Sequence, residues 1–135
     1  MKKLLALFLV SAALLTVSCK KENTVIAENT VKLAGTSWKS TLSVGGFNAQ
    51  YLMVFINDSI GRMDMSIVEG GLPDTESLSF AYVFDGKSSG TITVNDDEIM
   101  PFTYSDGSGN PVITMMLTGE EARELGINQL VFTKQ

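Results

Sequence analysis

From Gly35 to the C-terminus, apolar and polar residues alternate in short runs broken by Gly, Asn and Asp. Side chains of a strand point to opposite faces at every second residue, so this alternation predicts a series of half-buried β-strands. The first predicted strand, 36–44, puts Trp38, Leu42 and Val44 on one face and Lys39, Thr41 and Ser43 on the other. Gly45-Gly46 then turns the chain. "QYLMVFI" (50–56) is apolar on both faces, which suits a strand covered on both sides or lying within a closed sheet. Asn57-Asp58 signals a hairpin into 60–69, where Met63, Met65 and Ile67 face inward and Arg62, Asp64 and Ser66 outward.

"GGLPDT" (70–75) reads as a longer loop, followed by 77–84, with Leu78, Phe80, Tyr82 and Phe84 sharing a face. Asp85-Gly86 tolerates the positive φ angles of a tight turn and leads into 89–94. Strands 98–104 and 112–118 follow, and Pro101, which has no N–H to donate, predicts an edge or a bulge at its position. Thr118 and Glu121 have capping-box spacing, and Gly126 is a stop signal, so 118–125 is expected to form a short helix. The last strand is 128–134. Eight strands at roughly 8–12-residue spacing predict an all-β fold, an eight-stranded antiparallel up-and-down barrel with one short helix before the last strand. Such a barrel has room for packed side chains or for one small ligand.

The first residues follow different rules. Lys2 and Lys3 precede an uncharged apolar stretch from Leu4 to Leu15, short of the roughly 20 apolar residues a bilayer span needs. A positive start, a short apolar middle and a small residue before the cut describe a secretory signal peptide, here residues 1–18. Val17, Ser18 and Cys19 resemble the box of a bacterial lipoprotein signal, with Thr16 where leucine is usual. That resemblance implies lipidation of Cys19, the only cysteine of the chain. "CKKEN" is similar to the export tag of surface lipoproteins in some Gram-negative bacteria. Residues 19–32 are polar enough for a lipidated tether, and 33–135 are expected to form the barrel domain. The expected location is the outer membrane, through the lipid, with either face of that membrane left open.

Composition narrows the function. Ten basic residues stand against 15 acidic ones, and loss of Lys2 and Lys3 leaves the chain still more acidic. Nucleic-acid binding needs clustered Lys and Arg, and none is present. The chain has no histidine, and its single cysteine is assigned to the anchor, so the usual general base, the Cys nucleophile and thiolate metal sites are missing. Asp96, Asp97 and Glu98 read as a solvated turn, and Arg62 with Asp64 as a surface ion pair. Asp106, Ser108 and Asn110 match positions 1, 3 and 5 of a calcium loop, but Leu117 occupies the place of its bidentate glutamate, so a hairpin loop is expected. No enzyme activity, metal or cofactor is expected.

"LAGTSWKS" (33–40) at the first strand, the meander after it and the terminal "LVFTKQ" resemble the small lipocalin-like domains of bacterial cell-surface lipoproteins. Lipocalins carry Gly-x-Trp where this chain has Gly35-Thr-Ser-Trp38. Met53, Met63, Met65, Met100, Met115 and Met116 all fall in predicted strands, and flexible thioethers suit irregular apolar cavities. Trp38, Met53, Phe55, Met63, Met65, Phe80, Tyr82, Phe102 and Met115 are the candidate lining of a pocket for a small hydrophobic ligand. The alternative is a filled core in a structural or accessory lipoprotein that docks onto other envelope proteins.

Overall fold

A computed structural model describes residues 30–69, 71–119, 122–123 and 126–135. The expected signal peptide, Cys19 and most of the tether lie outside the described residues. Eight strands, β1 (Thr36–Val44), β2 (Phe47–Phe55), β3 (Ile60–Glu69), β4 (Leu72–Phe84), β5 (Ser89–Val94), β6 (Glu98–Gly107), β7 (Asn110–Met116) and β8 (Gln129–Lys134), follow in sequence order around a closed barrel. Every neighbouring pair is antiparallel. Closure rests on a short seam, Trp38↔Lys134 and Lys39↔Thr133, extended by the Gln135 N–H donating to the Ser37 carbonyl.

Four strands are longer or shorter than the sequence pattern suggests. The stretch 70–75, expected as a loop, is mostly strand: Leu72, Pro73, Asp74 and Thr75 pair with Glu69, Val68, Ile67 and Ser66. In the same way β2 begins at Phe47, and β6 and β7 extend into "DGSGN", leaving Ser108-Gly109 as the two-residue turn. Both turn residues have positive φ, 62° and 82°, as a tight hairpin requires. Strand β7 stops at Met116, two residues early. Ladder pairing across a hairpin overrides the weak strand propensity of Gly, Pro and Asp. Pro101 lies where β6 pairs with β5 but not yet with β7, whose ladder begins at Phe102↔Met115, so no rung on that side needs its missing donor. Of the expected helix 118–125, Ala122 and Arg123 have helical backbone; Glu121 and three of its neighbours lie outside the described residues.

The apolar face of each strand points inward. Strand β2, apolar on both faces, lies in the closed sheet, with Met53 and Phe55 fully buried inside and Leu52 partly exposed outside. The outer face carries Lys39, Thr41, Arg62, Asp64, Ser77 and Ser79 beside the exposed apolar side chains of Leu52, Val83, Ile99 and Val131. Among the described residues no helix is long and apolar enough to cross a membrane.

One end of the barrel is sealed. Val31 donates to the Gly86 carbonyl, Leu33 is buried, and the Thr36 hydroxyl bonds back to the Leu33 carbonyl. The Trp38 indole N–H donates to Thr36 Oγ1 at 2.7 Å, which gives a buried indole the partner it needs. Above this plug two interior rows repeat one arrangement. Gly61 sits between Phe55 and Phe80 on the flanking strands, and Gly90 between Phe84 and Phe102. In each row the two rings meet over the glycine, with centroids 5.7 Å apart in the first and 5.8 Å in the second.

At the same end, the β4–β5 turn is held by Asp85, whose carboxylate accepts the N–H groups of Lys87, Ser88 and Ser89 at 2.7–3.1 Å. These bonds, that from Ser89 foremost, hold its carboxyl below the usual carboxylate range. A depressed folded value adds stability that is complete above the unfolded carboxylate value of about 3.9 and is lost as pH falls through the folded one. Asp85→Asn should therefore flatten the decline in thermal midpoint on acidification below about pH 4. Equal acid sensitivity of the two proteins would show that the turn does not contribute to it.

Candidate functional site

The opposite end of the barrel is built differently. Past the phenylalanine rows, the inward positions are mostly methionine, leucine and valine, with Tyr51 and Ile67, and the space between them is not filled. A pocket of about 180 Å³ remains. Met63 and Met65 of β3, Leu78 and Phe80 of β4, Met100 of β6 and Met115 of β7 form its walls. The β7–β8 connection crosses its mouth, contributing Leu117, Thr118, Ala122 and Ile127. Gly126 and Ile127 donate to the carbonyls of Arg123 and Ala122, which fixes the return of this strap toward β8.

Of the nine residues expected to line a pocket, Met63, Met65, Phe80 and Met115 do so. Trp38, Met53, Phe55, Tyr82 and Phe102 point into the same interior but belong to the packed part of it. Phe55 meets Tyr82 edge-on at 4.7 Å, and Trp38 meets Tyr104 at 6.1 Å. The Tyr82 hydroxyl donates to the Asn57 carbonyl at 2.6 Å, toward the sealed end. Burial, with a smaller contribution from Asp58, pushes its phenol above the ordinary tyrosine value. Beyond those nine, the lining takes in Tyr51, Leu78, Val94, Glu98, Met100, Leu130 and the strap residues. Leu78 and Val94 were legible as inward positions; the strap was not, because its place over the mouth comes from a long connection rather than from a ladder.

Polar groups at the pocket are few. Glu98, at the start of β6, is the one carboxylate among the lining residues, and Thr118 adds a hydroxyl. Asp96 and Asp97 in the same turn are exposed, as expected for a solvated turn. Arg62 and Asp64 pair at 3.0 Å on the outer face, where Ser77 also donates to Asp64, so they take no part in the interior. Among the described residues no group of three or more His, Cys, Asp or Glu is placed to hold a metal ion. The site's chemistry is therefore an apolar chamber with a polar lip, a geometry for holding an apolar group. Comparison with protein-family models, with curated proteins and with solved structures finds no match.

Proposed function

We propose that this protein is a lipid-anchored envelope lipoprotein whose lipocalin-like barrel binds a small apolar molecule, without catalysis, in the methionine-walled pocket. The observation that carries this reading is the unfilled volume of about 180 Å³ at one end of an otherwise close-packed interior. Protein interiors pack to crystal density, and an apolar void of about 150 Å³ is large enough to take up benzene. The volume suits a guest group of benzene or short-alkyl size. Methionine walls favour an adaptable fit. A solid interior would have favoured the accessory, protein-docking reading instead.

The test is titration of the full-length protein with hexanol, followed by ¹³C NMR of the methionine ε-methyl groups. The methyls of Met63, Met65, Met100 and Met115 should shift saturably, while outward-facing Met116 and packed Met53 stay still. Met65→Lys, at a partly exposed wall position, should weaken binding about tenfold or more by placing an ammonium where apolar surface was buried. Uniform shifts across all methionines, or none, would refute the pocket.

Lipid anchorage is supported by the Val17-Ser18-Cys19 pattern. Thr30 and Val31 lie against Gly86 at the sealed end, opposite the pocket mouth. Cys19→Ser should abolish labelling by a fatty-acid analogue and release the protein from membranes; persistent labelling would rule out Cys19 as the anchor.

A further inference from the structure

The charges of the barrel are distributed unevenly between its two ends. Among the described residues, the turns and strand ends around the pocket mouth carry Asp74, Glu76, Asp96, Asp97 and Glu98, against Arg123 on the strap. Glu76 and Asp74 continue the inward face of β4 beyond Leu78, because they pair with the inward Met65 and Ile67 of β3. At the sealed end, Lys32, Lys87 and Lys134 offset Asp58, Asp85 and Asp106. Clefts of low polarity lined by one sign of charge concentrate the field at the mouth and select guests of the opposite sign.

We infer that the guest of the methionine-walled pocket is a small amphiphilic cation: an apolar body of benzene or short-alkyl size bearing one ammonium group at the lip, beside Glu98. This rests on the pocket reading above and adds the sign of charge. The apolar walls accept the body. The carboxylates around the mouth oppose a fatty acid or other anionic amphiphile, whose head would come to lie among like charges. A bare metal ion does not fit the arrangement, since the described acids do not converge as ligands and the walls are apolar.

The experiment compares three probes of equal length on the full-length protein, hexylammonium, hexanol and hexanoate, each titrated against the methionine ε-methyl signals. Hexylammonium should bind at least about threefold tighter than hexanol, and hexanoate more weakly than both, as expected for attraction to partly screened charges. The preference should collapse near 0.5 M sodium chloride, where the screening length falls to a few ångström. It should also vanish in the Glu76→Gln/Glu98→Gln double variant, read as the ratio of hexylammonium to hexanol affinity within that variant. Equal affinities for the three probes, or a preference for hexanoate, would overturn the charge assignment and leave the pocket standing. No saturable shift with any probe would overturn the pocket and this inference together.

Discussion

Phe55→Ala is expected to lower the unfolding free energy by about 3–5 kcal/mol, the range for removing a fully buried phenylalanine. The side chain has no exposed surface. Its ring contacts Phe80 and Tyr82 edge-on and Phe102 at a tilt, with centroid distances of 5.7, 4.7 and 6.3 Å. Truncation removes apolar burial and three ring contacts at once, and the void opens in the sealed end, where the surroundings are locked by ladder pairing. Met65→Ala should cost much less, because that side chain is only partly buried and already faces open volume. Urea unfolding at constant m-value measures both. A loss below about 2 kcal/mol for Phe55→Ala would mean that the phenylalanine end relaxes around the void, contrary to the close packing described.

Gly61→Ala and Gly90→Ala should each destabilise the barrel by about 1–3 kcal/mol, the usual cost of overpacking. A Cβ on Gly61 would overlap the Phe80 ring and stand 2.7 Å from the Val54 carbonyl oxygen. On Gly90 it would overlap the Phe102 ring and stand 2.5 Å from the Val83 carbonyl oxygen. The carbonyls belong to neighbouring strands and cannot move without breaking ladder bonds. The rings can yield, which makes the effect separable: Phe80→Leu in the Gly61→Ala background should restore part of the loss. A double-mutant cycle should give a coupling of about 0.5–3 kcal/mol, as for residues in contact. Strict additivity would show that the carbonyl clash alone sets the cost and that the ring does not lie over the glycine as described.

Period-2 alternation in "TSWKSTLSV", "IGRMDMSIVE" and "SLSFAYVF" was sufficient to place Trp38, Met63 and Phe80 inside and Lys39, Arg62 and Ser79 outside. A one-residue slip would turn each of these sets to the wrong side, so the pattern leaves a single register. The number of strands and their sequential antiparallel order follow from it, because short hairpin turns such as Asn57-Asp58 and Asp85-Gly86 admit only neighbours. Turn chemistry was a weaker guide to strand ends: Pro73 and Asp74 read as loop residues yet pair with Val68 and Ile67, since partner strands supply hydrogen bonds that local propensity does not count.

Inward direction, however, says nothing of depth. Trp38, Phe55 and Tyr82 alternate inward just as Met63 and Met65 do, yet the first group is packed and the second faces a cavity. The difference arises from which rungs of separate strands come level in the closed barrel. Two glycines level with four phenylalanines, Phe55–Gly61–Phe80 and Phe84–Gly90–Phe102, let the rings fill the sealed end. At the other end methionines of β3, β6 and β7 meet with no such filler, and Leu117, Thr118, Ala122 and Ile127 of the strap line the space between them. Sequence alone determined the faces and the order of the strands, because alternation and short turns are local properties. Only the tertiary structure decided where the interior is solid and where it is open, because that depends on stagger between strands distant in the chain.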